Sequence, residues 1–342
     1  PERTLADRLL ASRAVVLARE DPQRPFHYRA IETLAGTPDG APTELFLHSQ
    51  GRRTLAAHPE RAMVLAQSAK DGGWSTLGLT TPEYERVVRA ILRQAGDWRP
   101  RETDNAARLD WFVPLLGHAD ARLHQLAYLE IGRAPYGEVR RLAGRIPART
   151  LETLLDEPRY LEWRNLAILM LGESAREADR ARVRETLARK ARFGSSLNLA
   201  AWATALVAVD GVDGIGRLES LYLTNKARED DELKAVIQAL SVHAKADATL
   251  RAPVAEAYRR LLDTHPRLAP DLVHDLIAWQ RGDFVRQVEQ ARDALDADPL
   301  AVYSLGLYLR FAQAKQGSRA PQWRTGTEAP AASDRTELGE TP

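Results

Sequence analysis

The chain has 342 residues, 44% of them hydrophobic and 28% charged, which is apolar material for about two cored domains in an ordinary globular balance. Its 48 Lys and Arg are matched by 47 Asp and Glu, and that near-neutral balance argues against a dedicated nucleic-acid surface. With no cysteine, disulfides, zinc-thiolate sites and thiol nucleophiles are excluded together.

The basic run from Arg176 to Arg192 is interrupted by Glu177, Asp179 and Glu185 and reads as a solvated helix face. Aliphatic runs such as Ala14 to Ala18 fall far short of the roughly 20 residues of a membrane span. No signal-peptide pattern is visible, yet the sequence starts at Pro1. A periplasmic or secreted location follows if a leader preceded Pro1, and a cytoplasmic one otherwise. Abundant Ala, Leu and Arg with few Lys suggest a bacterium of high genomic GC.

In chain order, Ala14–Ala18 predicts a first strand, closed by Asp21–Pro22. Phe26 to Leu34 begins with alternating residues and predicts a second. After the turn cluster Gly36 to Pro42, Leu45–Leu47 predicts a third. Arg52 to His58 predicts a brief helix, Met63–Ala66 a fourth strand, and Trp74–Leu79 a fifth. Five short strands with a helix between the third and fourth is the element order of an OB-type barrel, so residues 1–98 are expected to form a small OB-like β-barrel domain. Thr81–Pro82 opens a helix to about Gln94, and Gly96 to Arg101 is a polar connector.

From residue 103 the periodicity changes to apolar residues at i, i+3, i+4 and i+7. Leu109, Phe112, Val113 and Leu116 form one stripe; Trp163, Leu166, Ala167 and Met170 another. Leu199, Trp202, Ala203 and Leu206 repeat it, as do the sets starting at Leu233 and Val254. Short breakers separate them, and Asp298–Pro299 is a cap-and-start signal. About a dozen short-looped helices bury their stripes by stacking pairwise. The run LLGHADARLHQLAYLEIG, residues 115–132, resembles a HEAT repeat: Leu-Leu, an Asp-containing turn at Asp120, a second helix with Ala127 and a closing Gly132. It departs from that pattern at His124, where such repeats usually carry Arg. The resemblance implies a HEAT-like α-solenoid over residues 103–313, giving an α+β fold class overall. Residues 314–342 are polar, with Trp323 the largest of their few apolar side chains, and predict a disordered tail.

Candidate sites are few. His243 followed by His274–Asp275 resembles the pattern of HD-type metal phosphohydrolases, but no terminal Asp is identifiable, and His274 and Asp275 point about 100° apart on a helix. These residues are expected on helix surfaces. His118 and His124 have Asp120 as their only close third ligand and read as a turn and an exposed helix face. Gly211, Gly214 and Gly216 lack the dinucleotide spacing and predict a flexible interhelical loop. Ser195, Ser196 and Ser241 lack a nucleophile elbow. Trp163 and Trp202 are expected in the core, Trp111 and Trp279 in core or groove, and Trp74 in the sheet domain.

No catalytic, cofactor-binding or metal-ligating residue is therefore assigned. The reading is a non-enzymatic interaction or scaffold protein that binds a protein or peptide partner through the concave face of the solenoid, without nucleic acid or a membrane span. The alternative is a metal-dependent phosphohydrolase or other hydrolase with its site in the helical region. A related possibility is an enzyme or accessory subunit with its site between the two parts, where Trp98, Arg99 and Arg101 converge. An OB-type oligonucleotide or sugar site lacks the basic, aromatic-lined groove such binding uses.

Overall fold

The computed structural model describes residues 3–294 and 298–317. The chain opens with α1 (Leu5–Leu10), capped by Thr4, whose Oγ1 accepts the Asp7 N–H. Then come β1 (Ser12–Asp21), β2 (Arg24–Gly36), α2 (Ser49–Ala57), β3 (Met63–Ser68), β4 (Trp74–Leu79) and α3 (Pro82–Arg93). The strands form one antiparallel sheet in the order β2-β1-β3-β4. Asp21 Oδ1 accepts the Gln23 N–H and tightens the β1–β2 turn.

The sheet corrects the expected OB-like barrel. β2 and β4 are opposite edges and do not pair, so the sheet is open. The expected third strand, Leu45–Leu47, makes only an isolated bridge between Phe46 and His27. Its apolar character has another cause: Leu47 is fully buried beside Leu55 of α2 in a small core on one face of the sheet. That core also takes Val16, Ala18 and Leu65, while Val15, Leu17, Val64 and Ala66 point to the opposite face and join Ala6 and Leu9 of α1 and Tyr84, Val88 and Ile91 of α3. Alternate residues of a strand face opposite ways, so a central strand covered on both sides is apolar throughout. The run Ala14–Ala18 records this sandwiching and does not record barrel closure. Thr81 caps α3 and Pro82 preorganises its first turn, as the sequence indicates.

Beyond the connector the described residues form thirteen α-helices: α4 (Ala106–Phe112), α5 (Ala121–Gly132), α6 (Tyr136–Ala143), α7 (Ala148–Asp156), α8 (Arg164–Gly172), α9 (Glu177–Phe193), α10 (Leu199–Asp210), α11 (Val212–Leu218), α12 (Asp230–Ala246), α13 (Arg251–Thr264), α14 (Ala269–Ala278), α15 (Val285–Ala294) and α16 (Pro299–Gly317). Helices distant in sequence stack in a repeat-like solenoid. α8, α10, α12, α14 and α16 follow one another in one row, and α11, α13 and α15 in a second. Neighbouring helices within a row approach closely where side chains are small. A Cβ on Gly172 of α8 would lie 2.7 Å from Cα of Ala205 on α10. α6 packs on both α8 and α12, the two neighbours of α10, which leaves α10 buried along nearly its whole length. α16 extends the helical region to Gly317; of the expected tail, residues 318–342 lie outside the described residues.

The main hydrophobic core runs without a break from Ala6 through the sheet into the helices as far as Ala312. Trp98, in the connector, is buried edge-on against Trp111 and beside Phe112.

Candidate functional site

Between α5 and the start of α8 lies a cleft of about 710 Å³. Its walls are Tyr128, Leu129 and Gly132 of α5, Arg133 just past its end, and Glu162, Trp163, Asn165 and Leu166 around the start of α8. Arg3 and Asp7 at the N-terminus and Arg101 and Thr103 of the connector close the third side. The lining is mainly apolar. The Trp163 ring stacks on Tyr128 with centroids 4.9 Å apart and is half-exposed. A mostly apolar concavity with a few convergent charges is the usual form of a binding site.

The floor is a buried ion network. Arg108 of α4 is fully buried. It donates from Nε and Nη2 to the two Glu130 carboxylate oxygens (3.1 and 3.0 Å), from Nη2 to Asp7 Oδ1 (2.9 Å), and from Nη1 to the Arg99 carbonyl (2.8 Å). Arg133 donates to both Asp7 oxygens and to Glu130 (2.9 Å). Two guanidiniums thus face two carboxylates, with the formal charges cancelling. Buried charges persist only when paired and hydrogen-bonded in this way. Burial pushes the Asp7 carboxyl up, but hydrogen bonds from Arg133, the Arg101 N–H and Arg108 outweigh it and hold the group below its ordinary value.

The network also shapes the rim. The Arg101 N–H donates to Asp7 Oδ1 at 2.8 Å, and Arg101 sits at φ +63°, a left-handed conformation costly for a non-glycine residue. Asp7 thereby holds a strained residue at the mouth. Arg3 and Arg101 have no ion-pair partner among the described residues, and the Arg133 Nε is buried without a hydrogen bond. The cleft can therefore take an anionic group beside an apolar or aromatic one, with a guanidinium rim and a Trp–Tyr wall.

Sequence reasoning pointed at Trp98, Arg99 and Arg101, and all three lie at this junction: Trp98 under Arg108 (5.9 Å from guanidinium to ring centroid), Arg99 through its carbonyl, Arg101 at the rim. Arg108, Glu130, Arg133 and Asp7 were not singled out. Glu130 carries a signal, since it interrupts the apolar stretch Leu126–Ile131 on a buried face.

Other candidates fall elsewhere. His243 is buried, not surface-exposed, its Nε2 2.8 Å from the Thr204 carbonyl and its ring edge-on to Tyr136. Burial lowers its pKa, so the imidazole is held neutral as a link between α12 and α10. Asp275 is also buried, accepting from Tyr258 (3.3 Å) and pairing with Lys245 (3.0 Å), while His274 is exposed. Among the described residues no group of three or more His, Cys, Asp or Glu is placed to hold a metal ion. His124 is half-buried between Tyr128 and Tyr160, and the His118 Nδ1 accepts the Asp120 N–H. Asp120 caps α5 through the Arg122 N–H. Gly211 ends α10, and Gly214 and Gly216 lie inside α11 instead of a flexible loop. Gly214 allows close contact, since a Cβ there would be 2.8 Å from the Leu206 carbonyl. Trp202 and Trp279 are buried, and Trp74 and Trp111 are partly buried. Among the described residues, no helix is long and apolar enough to cross a membrane.

Comparison with protein-family models, with curated proteins and with solved structures returns no match.

Proposed function

We propose that the chain is a non-enzymatic interaction protein whose HEAT-like helix pairs, residues 103–313, display a peptide-binding cleft capped by residues 1–98. The observation that carries the reading is the 710 Å³ cleft, where the Trp163–Tyr128 wall faces Arg101 and Arg3, which have no ion partner among the described residues. The partner segment supplies a carboxylate beside an aromatic or large apolar residue. It binds at the α5–α8 opening, because the middle of the row is closed by α6 over α8 and α12.

A random peptide library selected on the full chain tests this. Enriched peptides should pair Asp, Glu or a free C-terminus with an aromatic residue. Arg101→Glu and Trp163→Ala should each weaken them by about tenfold or more, the scale of one lost charge-assisted or aromatic anchor. Binders indifferent to both substitutions, or no enrichment, would contradict the reading.

A further inference from the structure

A second cavity, of about 540 Å³, lies between the start of α5 and α7 and shares no lining residue with the cleft. Its walls are the turn Leu116–Ala119, the first turn of α5, α7 and the pair Arg159–Tyr160. Four of its lining side chains are basic, His118, His124, Arg149 and Arg159, and none is acidic. The chain as a whole matches 48 Lys and Arg with 47 Asp and Glu, so this concavity departs from the balance of the molecule. Low-dielectric walls lined by one sign of charge focus a field on the space between them.

The neighbouring acids are committed elsewhere. Glu152 and Asp156 of α7 pair with Arg176 and Arg182 at α9 (3.1 and 2.6 Å), and Asp120 caps α5 and pairs with Arg122 (3.4 Å). Glu157 pairs with Arg159 (2.5 Å), whose guanidinium also lies over the Tyr160 ring. The Arg149 side chain has no ion-pair or hydrogen-bond partner among the described residues, and the Thr150 hydroxyl has no hydrogen-bond partner there. The imidazoles add a donor and an acceptor. The His118 Nδ1 accepts the Asp120 N–H at 3.0 Å, which places the proton of neutral His118 on Nε2 as a donor. The His124 Nδ1 faces the His118 carbonyl at 3.4 Å, and a carbonyl only accepts, so neutral His124 carries its proton on Nδ1 and keeps Nε2 as an acceptor. A phosphate group matches this set: its charged oxygens take the donors, and it has a P–OH proton to share with an imidazole. Sulfate and carboxylates bring no such proton at neutral pH.

We infer that this cavity binds the phosphate of a small phosphate monoester, with Arg149 as its counter-charge, the His118 Nε2–H and Arg159 as further donors, and the His124 Nε2 sharing the phosphate proton. The space beside Leu116, Pro147 and Leu154 takes the esterified organic group. The volume is that of a small-molecule site. This site is independent of the peptide cleft, since neither uses the other's residues.

The test is titration calorimetry of the full chain at neutral pH and low ionic strength, with inorganic phosphate, phenyl phosphate and sulfate as the probes. Phenyl phosphate should bind more tightly than inorganic phosphate, because its ring covers the apolar lining, and sulfate more weakly. Arg149→Glu should weaken phenyl phosphate by about tenfold or more, the scale of one lost charge-assisted contact, with an unchanged circular dichroism spectrum. Arg149→Gln, which removes the charge and adds none, should give a smaller loss in the same direction. Arg101→Glu, at the rim of the cleft, should leave phenyl phosphate binding unchanged, which separates this site from the guanidiniums there. No binding of any probe at millimolar concentration would overturn the inference. So would binding lost with Arg101→Glu and kept with Arg149→Glu, sulfate as tight as phosphate, or phenyl phosphate no tighter than phosphate.

Discussion

The floor of the cleft and the contact between α8 and α10 hold the molecule together by opposite means. At the cleft, Asp7, Arg108, Glu130 and Arg133 tie α1, α4 and α5 with ionic hydrogen bonds from residues up to 126 positions apart. At α8–α10, Gly172 and Ala205 meet without a polar group between them. The first contact depends on every partner being present and charged. The second depends only on shape. The polar junction also encloses the cleft and sets the backbone of Arg101, whereas the apolar contact lies where α6, α8 and α12 surround α10.

Removing Arg108 should give the largest effect. Arg108→Ala leaves Asp7 and Glu130 buried with Arg133 as their shared cation, and should cost about 3–5 kcal/mol in chemical denaturation. A loss under about 1 kcal/mol would show that water enters the network. Gly172→Val tests the apolar contact. A Cβ cannot fit 2.7 Å from the Ala205 Cα, so α8 and α10 must separate, at about 1–3 kcal/mol. That loss should be the same at pH 4 and pH 7.

Acid sharpens the contrast. The Asp7 pKa is lowered in the folded state, so its contribution is complete above the ordinary value of 3.8 and is lost as pH falls from there through the lowered folded value. Asp7→Asn should therefore destabilise the protein at neutral pH and flatten the slope of stability against pH below about 4. An unchanged slope would mean that Asp7 is not ionised in the fold. The smallest effect belongs to Arg101→Gly, which relieves a left-handed backbone and should stabilise the free protein by about 0.5–1 kcal/mol while weakening an acidic peptide. Lower stability would show that the Arg101 side chain contributes contacts of its own.

Much of this organisation is legible in residue order. The stripes at Leu109, Trp163, Leu199, Leu233 and Val254 mark helices, and Thr81–Pro82 marks the start of α3. What strand patterns do not encode is whether edges meet. Leu45–Leu47 looks like a strand because Leu47 is buried beneath α2, and without it β2 and β4 remain separate edges. α1 is only one and a half turns long, too short for a periodic signal. The cleft was legible only in part. Trp98, Arg99 and Arg101 stand together in sequence, but Asp7, Arg108 and Glu130 are brought together by folding, and no local spacing announces a pair 101 residues apart.

Hydrogen exchange of the full chain, with and without a selected acidic, aromatic peptide, addresses the cleft most directly. The account predicts added protection in residues 101–103, 128–133 and 162–166, with α12 to α16 unchanged. Protection confined to α12–α16, or to the exposed edge of β2, would contradict it.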